Sequence, residues 1–353
     1  MPGTIVKGTG MYVPPCKVHN DRLAKIMDTS NEWIESRSGI RTRYYVEEGV
    51  ATSDLAVEAA RRALDDAGMT PGDVDYIVFA TMTPDYYFPG SGGLLQTKLG
   101  IRNVPALDIR QQCSGFVYGL QVSDALLNTL PEVKTLLFVG AEIHSGFMPW
   151  KCWDYVMGKN ENVPTREEYE WNTKFRDRAV LFGDGAGALV LQKGTDPQRG
   201  LLGSVTHVEG KYTTSLFVNS GGMKYRPYFH AEHQTSGQIV PEMDGRAVFK
   251  MAATKMPEAV REVCDKVGVK VDDIDMLLAH QANLRINEMV QAQLKLPNEK
   301  VYNNIQEYGN TTAATIPICL HEVRKKGLVK DGSLVGFVSL GAGFHWGAAL
   351  MRL

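Results

Sequence analysis

Three side chains have the types and settings that acyl chemistry needs. Cys113, in ALDIRQQCSGFVYGLQVSDALL, stands where an apolar strand gives way to a segment whose apolar residues recur at helical spacing. A thiol at such a junction feels the positive end of the helix dipole, which favours the thiolate, the form of cysteine that attacks carbonyl carbon. His280 closes the apolar run DIDMLLA and opens QANLRINEMV; Asn310, in YGNTTAATI, again stands just ahead of a helical segment. A thiol, an imidazole and an amide at strand-to-helix edges fit an enzyme that takes an acyl group onto sulfur. Each also has a plain structural reading: Cys113 as a small buried residue beside Ser114 and Gly115, His280 as a hydrogen-bonded strand end.

These edges belong to a unit that the chain uses twice. Asp65, Gly68, Asp73 and Asp75 in ALDDAGMTPGDVDYIVFA recur two hundred residues later as Asp265, Gly268, Asp273 and Asp275 in VCDKVGVKVDDIDMLLAHQ. Both copies read as an amphipathic helix stopped by glycine, a short acidic turn and a buried strand. The helix after Cys113 lies opposite GNTTAATIPICLHEV, and KTLLFVGAE lies near GSLVGFVSLGAG. A duplicated unit of this kind predicts a pseudo-symmetric α/β fold, with polar chemistry where strands end and helices begin. The expected halves are residues 1–192, carrying the cysteine, and 193–353, carrying the histidine and asparagine, joined through TDPQRG.

The 353 residues are 44% hydrophobic and 22% charged, the composition of a compact enzyme with a large core. A formal net charge of −2 gives no reason to expect nucleic acid or an anionic membrane as partner. The five cysteines, at 16, 113, 152, 264 and 319, show no CxxC spacing, which argues against a disulfide framework or a zinc site and fits a reducing cytoplasm. MPGTIVKGTGMYVPP reads as a strand and turn rather than a signal peptide, and no apolar run approaches a membrane span. Two segments stand outside the repeat. Residues 143–178 hold three of the five tryptophans, Trp150, Trp153 and Trp171, with Tyr155, Tyr169 and Phe175, and are expected to line a pocket mouth or a subunit interface. Residues 209–244 read as a loop with a hairpin; HAEH at 230–233 within it lacks a third metal ligand and reads as loop.

SRSGIRTRYY, DIRQQCSGF, FGDGAGALVL, HQANLRI, YGNTTAAT and LGAGFHWGAAL occur in one order from about residue 30 onward, and together they resemble β-ketoacyl-[acyl-carrier-protein] synthase III of the thiolase superfamily. The order Cys, His, Asn also occurs in papain-like hydrolases, whose nucleophile has different surroundings. The resemblance implies a thiolase-like five-layered αβαβα fold, a homodimer and a Cys113, His280 and Asn310 triad. It implies an oxyanion hole from the backbone N–H groups of Cys113 and Ala342, coenzyme A contacts from Trp33, Arg37, Arg176, Gly245, Phe249 and Asn283, and an acyl pocket shaped by Phe88 from across the dimer. Lys250 and Arg285 would receive an acidic acyl carrier protein. No cofactor is implied: acyl-CoA and a malonyl thioester, on carrier protein or coenzyme A, are substrates, and the reaction is a decarboxylating Claisen condensation through acyl-cysteine. Rival readings are transfer of the acyl group to a second acyl-CoA, an alcohol or an amine, and a silent dimer partner.

Three features depart from the family pattern: the length of 143–178, Gln111 and Gln112 in place of small residues, and His345 beside the glycine turn. They predict a specialised acyl substrate.

Overall fold

A computed structural model describes residues 3–353, leaving Met1 and Pro2 of the amino-terminal strand expectation outside the described residues. The repeated aspartates do the same work twice. The helices Thr52–Ala67 and Gly245–Val267 end on left-handed Gly68 and Gly268, at φ 65° and 79°, where glycine alone carries no Cβ penalty. Asp73 and Asp273 then each cap their own turn, accepting from the Thr70 and Lys270 backbone N–H at 2.7 Å. Asp75 accepts from Lys134 and Thr135 N–H at 2.8 and 3.0 Å, and Asp275 from Leu334 N–H at 2.7 Å, so each pins the start of the neighbouring strand.

The strands form two principal sheets. One has the order Thr4–Tyr12, Gly185–Lys193, Thr135–Glu142, Tyr76–Ala80, Ala106–Ile109; the other runs Gly200–Val208, His345–Arg352, Leu334–Gly341, Met276–Ala279. Parallel pairing of Met276–Ala279 with Leu334–Gly341 repeats that of Tyr76–Ala80 with Thr135–Glu142. A single bridge from Leu277 to Val301 stands where the first sheet has its edge strand Ala106–Ile109. Between the sheets lie the helices Gly115–Thr129 and Thr315–Lys325, and outside them Thr52–Ala67 and Gly245–Val267 cover the far faces, giving the five layers expected.

The middle layer fixes the turn that carries Cys113. Phe116, three residues past Cys113, packs edge-on against Phe138 of one sheet and Phe337 of the other, with ring centroids 5.5 and 5.1 Å apart. All three rings are 1% exposed or less. Rings buried in this way each contribute about 1.5–3 kcal/mol of transfer free energy, which anchors the first turn of the helix to both sheets.

The aromatic insertion differs from expectation. Trp150 is 3% exposed and packs with Trp153 and Tyr45, centroids 5.6–6.4 Å apart, in a core under the helix Asn31–Ser38. Trp171 joins the same core through Phe175 and donates from Nε1 to Pro149 O at 3.1 Å. Trp150 is removed from water by the chain's own Tyr45 and neighbours, Trp153 and Trp171 are half-buried, and Trp153 also lines a smaller second pocket, while of this segment Ile143, Gly146 and Phe147 reach the main cavity. In the 209–244 segment Leu216–Phe217 pairs antiparallel with Glu242–Met243, while Ala231–Thr235 is a short helix where a loop was expected. Among the described residues no cluster of three metal-binding side chains occurs and no helix is long and apolar enough to cross a membrane.

Candidate active site

The pseudo-symmetry brings the edges of the two halves to one cavity of about 1120 Å³, lined by Cys113, His280 and Asn310 together with Ala342. Cys113 lies in the turn Gln112–Ser114, directly ahead of the helix Gly115–Thr129. Gln112 enters this turn at φ 45°, and Thr312 enters the matching turn of the second half at φ 48°. Neither is glycine, and a β-branched residue is strained there, a cost that persists where surroundings over-determine the conformation.

The surroundings of the sulfur pull in two directions. The N–H groups of Cys113 and Ala342 favour the thiolate by hydrogen bonding, and burial and the nearby Glu142 carboxyl oppose it. Burial dominates and pushes the thiol up to about 12, so the lowering expected from the helix dipole is not the net effect. A dry site has this property until an electrophile arrives, and the same two N–H groups are then placed to hold the oxygen of an attacked carbonyl. Gly341 lets this turn approach: a Cβ there would lie 2.9 Å from Cys113 N and 3.0 Å from Cys113 Cβ.

His280 follows the strand Met276–Ala279 and is 2% exposed. Its Nδ1 lies 2.8 Å from Thr315 Oγ1, and Nε2 is buried with no protein partner. Burial and the neighbouring His144 push its pKa down to about 3, so the ring is neutral. Thr315 spends its one hydroxyl proton on Thr312 O at 3.0 Å, so His280 Nδ1–H donates to Thr315 Oγ1 and Nε2, left without a protein partner, carries a lone pair. Asn310 is held by backbone bonds to Leu181 and Gly183, and its Oδ1 accepts from Thr312 N–H at 2.8 Å. The donor end of the amide is what remains for a ligand. An amide donor and an imidazole nitrogen thus face the Cys113 thiol across one cavity.

Other expected contacts divide. Trp33 lies between two guanidinium groups, with Arg37 Cζ 4.5 Å and Arg176 Cζ 5.2 Å from its ring centre, so the long insertion still brings Arg176 to this cluster. Arg176 is also bound to Asp28. Gly245, Phe249 and Asn283 line the cavity. Asn283 ties its mouth to the tryptophan cluster, donating to Arg37 O at 3.0 Å while capping the helix Leu284–Leu294 through Arg285 N–H. Lys250 is exposed, whereas Arg285 is paired with Glu288 at 2.8 Å. Phe88 is 79% exposed and does not line its own chain's cavity, although Tyr86 and Tyr87 do. Gln112 and His345 are in the cavity wall, each with one buried atom, Oε1 and Nδ1, lacking a partner.

Sequence reasoning missed three buried groups. Glu142, at the end of its strand, takes bonds from Thr81, Thr83 and Met82 N–H, and burial still pushes it up to about 7. His144 sits between Gly183 and Thr312. Asp184, in the FGDGAG motif, accepts from the His144, Ser145 and Val46 N–H groups and so fixes the loop that carries His144. The aspartate was visible as a motif residue and Glu142 as the last residue of KTLLFVGAE, whereas His144 lies in the stretch read as insertion, which the repeat does not cover.

Comparison with known proteins gives one answer. The family described as 3-oxoacyl-[acyl-carrier-protein (ACP)] synthase III matches residues 107–158 and 167–210, and its C-terminal companion matches 264–353. The chain is 38% identical over 354 residues to a β-ketoacyl-[acyl-carrier-protein] synthase III of Bordetella petrii, covering 99% of this chain and 98% of the other. A 3-oxoacyl-[acyl-carrier-protein] synthase III of Aquifex aeolicus superposes with a TM-score of 0.84 at 37% identity, covering 99% of this chain and 100% of that one. The priming β-ketosynthase of the R1128 polyketide pathway superposes with the same TM-score of 0.84 at 27% identity, over 100% of this chain and 96% of that one.

Proposed function

Because the chain belongs to the 3-oxoacyl-[acyl-carrier-protein] synthase III family, we propose that it condenses an acyl-CoA primer with a malonyl thioester, preferentially malonyl-carrier protein, with loss of carbon dioxide. One observation carries the residue assignment: Cys113, with two backbone N–H groups at its sulfur, shares a cavity with the unpartnered imidazole nitrogen of His280 and the donor end of Asn310. Sulfur attacks the primer carbonyl, the oxygen draws its charge against the N–H groups of Cys113 and Ala342, and coenzyme A leaves, so that one difficult carbon–carbon bond formation is split into two steps. A malonyl thioester then enters. Its carboxylate departs as carbon dioxide, and the electron pair left behind gives an enolate whose oxygen accepts from the Asn310 amide and, once Thr315 turns its hydroxyl proton from Thr312 O to Nδ1 and the ring proton passes to Nε2, from His280. His280 stays neutral through this exchange, which leaves no buried charge behind. The enolate carbon attacks the acyl-cysteine carbonyl and the sulfur leaves.

Trp33, Arg37 and Arg176 form a flat cationic clamp for the adenine and phosphates of coenzyme A, with Gly245, Phe249 and Asn283 along the channel inward. Lys250, unpaired and exposed at the mouth, is the better of the two cations for meeting an acidic carrier protein; Arg285 must first share its charge with Glu288. A second copy of the chain, seated on the exposed edge strand Ala106–Ile109 and on Phe88, would complete a homodimer. Nothing in the proposed steps calls for a cofactor, and the free thiols fit a reducing cytoplasm. Incubation with radiolabelled acyl-CoAs and malonyl-carrier protein tests the reading: a 3-oxoacyl-carrier product is expected, and Cys113→Ala should give neither acyl-enzyme nor product. An adduct that persists in Cys113→Ala on Cys152 or Cys264 would refute the nucleophile.

A further inference from the structure

His144 takes no part in the steps above, yet its ring is wholly buried beside them. Nδ1 lies 3.0 Å from Gly183 O, an atom that can only accept, so this nitrogen carries the proton. Nε2 keeps a lone pair, and the Thr312 hydroxyl, 2.7 Å away, donates to it. Thr312 is also in the cavity wall with Cys113, and its turn Thr312–Ala314 packs on the cysteine's own turn Gln112–Ser114. With its only proton turned to His144, its oxygen meets the thiol with lone pairs. The chain therefore runs in one sense, S–H to O–H to N. The backbone holds Thr312 in place: φ is 48°, its N–H is bound to Asn310 Oδ1 at 2.8 Å, and its carbonyl accepts from Thr315 at 3.0 Å. His144 is held equally well by the bond of its own N–H to Asp184 at 2.7 Å.

We propose that His144 is a positioning residue for acylation, which receives the Cys113 proton through the Thr312 hydroxyl as the sulfur attacks the primer. This rests on Cys113 being the acyl acceptor. As the new S–C bond forms, the Cys113 S–H bond breaks, its proton goes to Thr312 Oγ1, and the Thr312 proton passes to His144 Nε2. The carbonyl π pair moves onto the oxygen held by the two N–H groups. When the tetrahedral species collapses, the bond from carbon to coenzyme A sulfur breaks with its electron pair on that sulfur. The proton returns along Thr312 to this leaving group, which restores a neutral imidazole beside the acyl-cysteine. Burial pushes the thiol up and pushes His144 down to about 4, so neither ion is stable alone and proton transfer is tied to attack.

His144→Gln tests the idea, because glutamine can accept from Thr312 and donate to Gly183 but cannot take a proton. Acylation by acetyl-CoA, followed by intact mass in rapid quench, is expected to slow about a hundredfold in H144Q and in T312V, and to stay near wild type in T312S. In mixtures of light and heavy water the wild-type rate should curve, as two protons move together, and the H144Q rate should not. Wild-type acylation rates in both H144Q and T312V would overturn the proposal. If wild type acquires no acyl group from any acyl-CoA, it is the acyl-acceptor reading that fails. Iodoacetamide alkylation of Cys113 then decides the relay alone: slower reaction in H144Q supports it, and equal or faster reaction refutes it. Should H144Q lack a native circular-dichroism spectrum, the contrast between T312V and T312S decides in the same way.

Discussion

Replacing Gly341 with alanine should abolish turnover while leaving the fold nearly intact. The added Cβ would lie 2.9 Å from Cys113 N, 3.0 Å from Cys113 Cβ and 3.1 Å from Ser114 N. Carbon and nitrogen in ordinary contact stand about 3.5 Å apart, so something must move by roughly half an ångström. No flexible side chain is there to yield. The atoms in the way are the backbone and the Cβ of the turn that carries Cys113, and the move shifts the sulfur and the Cys113 N–H together. Overpacking of this size costs about 1–3 kcal/mol of stability, which in a chain of this length lowers Tm by only about 1–4 °C. Losing the alignment of one oxyanion donor costs about 2.7–4 kcal/mol in the transition state, a fall of about 10²–10³ in acylation rate. Rapid-quench acylation and a thermal melt on the same preparation separate the two effects. An alanine variant that acylates within threefold of wild type would show that Ala342 and Cys113 N–H do not stabilise the reacting oxygen as inferred from their position at the sulfur.

His280→Ala and Asn310→Ala are expected to acquire the acyl group on Cys113 at near-normal rate and to lose condensation by about 10²–10³ each, read in single-turnover assays with malonyl-carrier protein. Trp150→Ala should cost about 3–5 kcal/mol, measured by denaturant unfolding, and leave primer preference unchanged, because the ring fills a core away from the cavity. Acid sensitivity gives a further check. The unfolded His144 ring takes a proton below its usual 6.5, while the folded one resists until about 4, so falling pH over that span favours unfolding. Relative to wild type, H144Q should lose less stability there, by up to about 1.4 kcal/mol per pH unit, and coincident pH profiles would contradict a buried neutral imidazole.

Where the sequence repeats, it is readable. Gly68 and Gly268, Asp75 and Asp275, and the two helices of the middle layer follow from spacing alone, because helix stops and strand starts use local chemistry that leaves fixed residue types behind. Cys113, His280 and Asn310 could be singled out for the same reason, since matching edges of a duplicated unit meet at one cavity, while their reading as a triad came from the family resemblance. The tryptophan core was misplaced because an apolar count demands burial without saying against what; Tyr45, a hundred residues away, supplies the answer. His144 escaped notice because its partners, Gly183 and Thr312, come from two other segments. The rise in the Cys113 pKa was equally hidden, since desolvation is a property of the assembled cavity and the helix dipole a property of the local run.

The matching turns around Gln112 and Thr312 leave thiol-bearing Cys113 opposite Ala313, whose methyl approaches within 3.2 Å of the place a Cβ on Gly115 would occupy. Sulfur thus comes from one half of the chain, and imidazole and amide from the other, across a seam with no slack. Catalysis in such a molecule works as a gauge of its own assembly. A slip of the seam too small to melt a helix would part the sulfur from its donors. In rising urea, turnover should vanish while the helical signal is still whole, and substitutions buried between the sheets, touching no substrate, will first be noticed as lost activity.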